Sequence, residues 1–417
     1  MSSKFGEFFS AVKSVQVPQP FAPEPTSRIK VFGIGGGGGN AVSRMIEMNL
    51  SGVEFCALNT DVQALSRCHA PQKLSLGETA TRGLGAGGDP MAGLRSAEEN
   101  RREIRRMLEG VDMAFITAGM GGGTGTGAAP VVAQIAAEMG ILTVAVVTKP
   151  FRFEGPRRAR LADEGIKRLS SFVDTIIVVP NDKLLQLDDR KVQLEDAFKL
   201  ADDILRQAVQ GVSDIITVPG MINVDFADVR AIISGAGSAL LGIGVASGPH
   251  RAVEAAERAI SSPLLERSLH GAKRVLVNVS SDDNLMLDEF TAAAELITNL
   301  CDANDANIIL GWVPIPGLKD EVRVTVLATG FDDENTQGTG VKAASQPMVS
   351  PPSSPAPDTA KPTDPPARPV EQSIPPPAQL GYREVRPANP QSGNGNGSEI
   401  TPAGNDLDIP TFLRNRS

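Results

Sequence analysis

Six glycines and two threonines fall within residues 119–127, Gly-Met-Gly-Gly-Gly-Thr-Gly-Thr-Gly. The apolar run before them, residues 113–118, reads as a buried strand, and residues 128–139 have the alanine-rich spacing of a helix. A strand therefore passes through glycines into a helix. Glycine has no side chain, so backbone N–H groups can approach a ligand closely, and a helix start adds unpaired donors and partial positive charge. That chemistry suits a phosphate. A plain strand-to-helix turn is the alternative, but it needs one or two glycines, not a run of them.

A second such turn, residues 35–39, follows a strand at 28–34 and precedes a helix at 40–48. Gly33, Gly35 and Gly38 also satisfy G-x-G-x-x-G, with Glu54 in the next strand near the ribose-binding position. A nicotinamide-dependent dehydrogenase is thus the rival reading. A third glycine cluster occupies residues 83–88. No G-x-x-x-x-G-K-[ST] sequence occurs, so phosphate binding must rest on backbone amides, Thr124, Thr126 and a metal ion. Acids for hydrolysis could come from Asn223-Val-Asp225-Phe-Ala-Asp228. Asp225 reads as a helix N-cap with Asp228 in the first turn, which capping alone explains. Two carboxylates in a subunit's own triphosphate pocket would also repel the ligand.

The elements that must position these residues alternate. Strands at 53–58, 72–76, 142–147 and 175–179 join the two above, with a charged helix at 90–108 and another near 157–170. This pattern predicts an α/β fold with a mostly parallel sheet, its glycine loops gathered at the carboxyl ends of the strands. Leu194, Phe198, Leu205, Val212 and Ile216 recur at helical spacing, which predicts a long internal helix over 194–218. Residues 219–330 read as a second, smaller α+β domain with a mixed sheet. Its expected elements are helices at 226–240, 251–260 and 287–299 and strands at 273–279, 308–311 and 322–329.

The chain has 417 residues, 41% hydrophobic but only 4% aromatic, so its core must rest on Val, Ile, Leu and Ala. A net charge of −9 and a pI near 5.1 argue against nucleic acid as main partner. Cys56, Cys68 and Cys301 are scattered and odd in number, which fits a reducing cytoplasm and neither a disulfide framework nor a zinc site. No apolar run approaches the ~18 residues of a membrane span, and no signal-peptide core is visible. Residues 1–27, with Pro18, Pro20, Pro23 and Pro25, read as a disordered extension, and residues 331–405 as a disordered proline-rich linker. Residues 406–417 end that tether with apolar side chains among charged ones, the pattern of a peptide that docks in a partner groove.

Residues 121–127 resemble the tubulin signature. Together with residues 35–40, the Asn223 to Asp228 loop and Leu407-Asp-Ile-Pro-Thr-Phe-Leu413, they make the chain similar to the tubulin/FtsZ family. The resemblance implies a Rossmann-like domain at 28–193 that binds GTP or GDP with Mg2+, to which no direct protein ligand is assigned. It implies a cytoplasmic GTPase that polymerises head to tail and forms the division ring (Z ring) at midcell. Phosphates would be held by Gly36, Gly37, Gly38, Gly39 and Asn40, and by Gly123, Thr124 and Gly125. Glu154 would contact the ribose and Arg158 lie near the phosphates. Phe198 would stack on guanine while Asn181 and Asp202 read its polar edge, with Asp203 as the alternative. A carboxylate accepting both N1–H and the exocyclic amine selects guanine over adenine. The family pattern places Asn223, Asp225 and Asp228 in the next subunit's pocket, so each catalytic site would be completed by a neighbour. Asp408, Ile409, Pro410, Phe412 and Leu413 would bind membrane-anchoring and regulatory division proteins. The chain departs from the family's pattern in its N-terminal extension and in Pro156 of Glu154-Gly-Pro-Arg-Arg158.

Overall fold

Six strands lie in the first half of the chain, buried apolar runs in all but the short, polar β3: β1 (Ile29–Ile34), β2 (Glu54–Asn59), β3 (Gln72–Ser75), β4 (Met113–Gly119), β5 (Leu142–Lys149) and β6 (Thr175–Pro180). The structure, a computed structural model, describes residues 27–331 apart from 186–192, 219–223, 266–268, 270, 302–305 and 316. Asn223, the tail residues from Asp408 to Leu413 and extension residues 1–26 lie outside the described residues. All neighbours among the six strands are parallel, in the order β3-β2-β1-β4-β5-β6. The order reverses between β1 and β4, and a crevice opens at such a switch point.

Helices cover both faces: α1 (Gly35–Glu47), α2 (Val62–Arg67), α3 (Glu78–Thr81), α4 (Pro90–Glu99), α5 (Arg101–Met107), α6 (Thr124–Glu138), α7 (Pro156–Leu169), α8 (Asn181–Leu184) and α9 (Leu194–Thr217). Alternate strand residues divide the core, as a pleated strand requires. Val31, Phe115 and Val144 pack toward α1 and α9, whereas Phe32, Ile116 and Ala145 pack toward α5, α6 and α7. Two elements differ from the sequence reading. The glycines 35–39 are themselves the first turns of α1, not a loop before it. The charged helix breaks at Asn100 (φ −101°, ψ 23°), whose side chain accepts from the Gly77 N–H at 2.8 Å, a tertiary bond that no local pattern shows.

The second half holds α10 (Phe226–Ile233), β7 (Gly237–Ser247), α11 (Arg251–Ile260), β8 (Arg274–Ser281), α12 (Leu287–Thr298), β9 (Asn307–Pro314) and β10 (Glu321–Thr329). β10 lies antiparallel between β7 and β8, and β8 and β9 are parallel, so the sheet is mixed. That mixed sheet, expected for the second domain, continues from the parallel one, because β7 pairs with β6 from Thr175–Gly237 to Ile177–Ala239 and the strands run as one ten-stranded order. The expected helix at 226–240 also stops at Ile233, and β7 was missed. Its Ala and Leu residues mimic a helix, but Gly242 and Gly244 alternate with period two beneath α11. A Cβ on Gly242 would lie 2.2 Å from the Ala259 carbonyl oxygen, and one on Gly244 1.9 Å from that of Ala255. Gly244→Ala is therefore expected to lower stability by about 1–3 kcal/mol, read as a lower denaturant midpoint; an unchanged midpoint would contradict this packing. Among the described residues no helix is long and apolar enough to cross a membrane.

Candidate functional site

The turns after β1 and β4 meet because glycines let backbone touch backbone. A Cβ on Gly35 (φ +74°) would lie 2.9 Å from the Gly125 nitrogen, one on Gly125 2.6 Å from the Gly119 oxygen, and one on Gly37 3.2 Å from the Gly119 nitrogen. Gly36 and Gly122 differ: no atom lies within 4 Å of a Cβ placed there. Both line a cavity of about 410 Å³, so no packed neighbour accounts for a bare backbone at these two positions and a ligand has room to approach it closely. Neither α1 nor α6 has a side-chain cap or an acid in its first turn. By contrast, Asp61, Asp89 and Asp225 cap α2, α4 and α10. Two uncapped helix starts converging on one cavity form an anion site.

The cavity is lined at this end by Gly36, Gly37, Asn40, Gly123, Thr124 and Gly125. Gly38 and Gly39 are not brought to it. A Cβ on Gly38 would sit 2.3 Å from the Thr117 carbonyl oxygen, so its glycine serves packing, and Gly39 faces Cys68. Thr124 shares a 2.6 Å hydrogen bond with Thr60. Thr126 is a correction: it is 3% exposed and its hydroxyl accepts from the Gly121 N–H at 2.8 Å, bracing the loop from inside. The third glycine cluster packs behind the central one, with the Ala86 methyl 2.7 Å from a Cβ on Gly123. Lining residues missed by sequence reasoning include Met120, Thr148, Pro150 and Ala201. Thr148 and Pro150 were accessible by rule, since they lie at the carboxyl end of β5, beside β4.

At the far end the cavity meets Glu154, Arg158, Asn181, Phe198 and Asp202. Glu154 accepts from Arg158 through one oxygen and from the Phe151 N–H, at 3.0 Å, through the other. Pro156 occupies the first turn of α7 after Gly155 (φ +98°), a position suited to proline. Arg158, two residues on, lines the cavity, and Arg157 does not. Asn181 is 5% exposed and its Oδ1 has no hydrogen-bond partner among the described residues. Such an orphan fits a ligand that supplies a donor.

The two aspartates of α9 part ways. Asp203 turns to Arg206 (2.8 Å to Nε), Gln207 (2.6 Å) and Arg44 (3.7 Å). Burial raises its pKa, but the hydrogen bonds and charge of Arg206, with the Gln207 hydrogen bond and the Arg44 charge, together outweigh burial and leave it below the usual range. Asp202 lines the cavity, and burial pushes it up to about 7, assisted by the like charge of Asp203 and opposed by Arg44. A carboxylate short of solvation invites a ligand offering N–H donors.

Asp225 and Asp228 are exposed and do not line their own chain's cavity; Asp225 Oδ1 accepts from the Asp228 N–H at 2.8 Å. The dinucleotide reading fails on geometry. Glu54 opens β2, at the strand end opposite the cavity, and is tied to Arg28 (3.1 Å) and Lys30 (3.5 Å). Among the described residues no group of three or more His, Cys, Asp or Glu side chains could hold a metal.

Comparison with known proteins identifies the family and the fold. The model of the Tubulin/FtsZ family, GTPase domain, matches residues 28–189, and that of the FtsZ family, C-terminal domain, matches residues 237–332. A tryptophan-to-tyrosine mutant of FtsZ from M. jannaschii is 43% identical with a TM-score of 0.71, covering 73% of this chain and 92% of that one. An empty FtsZ dimer from M. jannaschii is 40% identical with a TM-score of 0.71, covering 79% and 93%. CetZ2 from Haloferax volcanii, a GTPγS-bound protofilament, shares the fold at 20% identity and a TM-score of 0.63, covering 73% and 93%.

Proposed function

This chain belongs to the Tubulin/FtsZ family of GTPases, and on that premise we propose that it polymerises head to tail and hydrolyses GTP only where two subunits meet. One observation carries the proposal. The cavity has what is needed to hold a guanine nucleotide, yet its only lining carboxylates among the described residues are Glu154 and Asp202. Glu154 is occupied by Arg158 and the Phe151 N–H, and Asp202 stands with the base-reading groups. Nothing acidic remains at the phosphate end to orient water.

In this reading the starts of α1 and α6 bind the phosphates, Glu154 the ribose, and Phe198 stacks on the base. Asn181 and Asp202 accept and donate along its polar edge. Mg2+ would be carried by the phosphates and would neutralise charge developing on them. Asp225 and Asp228 of the adjoining subunit supply the missing acids: Asp225 caps α10 and so fixes the loop, and Asp228 orients and polarises the attacking water. Asn223 helps place that loop. Loss of the γ-phosphate then weakens the interface that caused it, giving filament turnover. The FtsZ dimer and CetZ2 protofilament among the similar structures support self-association. We extend the reading to a division ring at midcell, with Asp408 to Leu413 tethering the polymer to membrane-anchoring proteins.

GTP hydrolysis and light scattering measured together over a concentration series test this. Turnover per molecule should rise as scattering appears, with no comparable response to ATP or NAD. A specific rate that stays constant across the assembly threshold contradicts a shared site.

A further inference from the structure

We propose that Phe153 is a positioning residue for the nucleotide base, acting through the ring of Phe198; the inference rests on the reading that Phe198 stacks on guanine. Phe153 is 62% exposed, so burial gives folding little reason to keep a phenyl ring there. Its ring instead stacks on Phe151, with centroids 5.0 Å apart and planes 13° from parallel. Phe198 stands perpendicular to both, 5.3 Å from Phe151 at 88° and 6.3 Å from Phe153 at 89°. Stacked and edge-to-face contacts at these separations are favourable aromatic geometries. Phe151 is 1% exposed and anchors the trio, while Phe198 is 41% exposed and lines the cavity.

The turn that presents Phe153 is stapled on several sides. Glu154 Oε1 accepts from the Phe151 N–H at 3.0 Å, and the Glu154 N–H donates to the Phe151 carbonyl, also at 3.0 Å. The Arg152 N–H donates to Asp182 Oδ1 at 3.1 Å, and the Arg152 guanidinium lies 3.4 Å from Oδ2. Asp182 follows Asn181, so one short turn ties together the proposed ribose contact, the base-edge contact and the stacking ring. A half-exposed Phe198 with no neighbours would sample several rotamers and lose that freedom on binding. Held by the Phe151–Phe153 pair, it is ordered before the base arrives. Phe153 therefore contributes to base affinity without touching the base.

The test is binding of GDP and of inorganic triphosphate, a probe with no base, to the full-length chain below its assembly concentration. The variants are Phe153→Ala, Phe153→Tyr, Phe198→Ala and the double alanine. Phe153→Ala is expected to weaken GDP about three- to tenfold, the equivalent of one side chain left to be ordered, and to leave triphosphate binding unchanged. Phe153→Tyr should bind GDP like the parent, and Phe153→Ala should add nothing to Phe198→Ala. An equal loss for triphosphate, an additive double variant, or unchanged GDP binding with impaired assembly would each overturn the inference. Unchanged GDP binding by Phe198→Ala would instead sink the stacking reading beneath it.

Discussion

An Asp228→Ala chain is expected to bind GTP as the parent does and to hydrolyse it roughly a hundredfold or more slowly, the scale lost when a positioned acid–base group is removed. The carboxylate does not line its own chain's cavity, so nucleotide affinity in the unassembled state should not depend on it. Mixing gives the sharper result. A second variant, Asn181→Ala with Asp202→Ala, should lack nucleotide binding but keep the acids of α10. Each variant alone should be nearly inactive, whereas their mixture should recover part of the parental turnover at interfaces that pair an intact pocket with an intact loop. Recovery is measured by phosphate release at fixed total protein. If Asp228→Ala loses nucleotide affinity as an isolated subunit, Asp228 acts in its own chain and the split site is wrong.

The second large effect concerns Asp202. Asp202→Asn replaces an acceptor of two donors by a group that accepts one and presents N–H to the other. Hydrogen bonds to charged groups contribute about 1.5–3 kcal/mol each, so GDP affinity should fall roughly a hundredfold or more. A xanthine nucleotide, which carries oxygen where guanine carries the exocyclic amine, should be bound better than by the parent. An Asn variant that retains guanine preference would move base reading elsewhere.

The same residue predicts a pH dependence. Burial raises the Asp202 carboxyl to about 7, and only the ionised form can accept both guanine donors. GDP affinity should thus weaken by up to about tenfold per pH unit as pH falls below 7 and level off above it. Asp202→Asn should flatten that profile. The linked effect on ligand-free stability has the opposite sense. The native carboxyl holds its proton up to about 7 whereas the unfolded one ionises near 3.8, so Asp202 lowers stability as pH rises between them. Bound nucleotide, which prefers the ionised form, should offset that loss.

Much of the fold was visible because parallel strands buried on both faces leave near-continuous apolar runs, and β4, β5 and β6 each show one, with β1 interrupted only by Lys30 and Gly33. β7 was hidden because its alanines and leucines suit a helix equally well, and the alternating glycines that mark it make sense only against α11. At the cavity, the glycine runs after β1 and β4 announced an anion site from spacing alone. Their division of labour did not appear there. Gly36 and Gly122 face open space, while Gly33, Gly38 and Gly125 are glycines because another backbone lies where a side chain would go.

Local sequence by itself determined the alternation of strand and helix in the first half, the two glycine-rich strand-to-helix passages and the Asp225 cap, since each depends on residues within a few positions of one another. Only the tertiary structure decided which neighbouring group does what. It brought Arg44 beside Asp203 and left Asp202 facing the cavity, and it put Glu54 at the wrong end of its strand for a ribose. The reason is physical: the environment of a side chain is set by elements far away in the chain, and desolvation, ion pairing and open space exist only once those elements have packed.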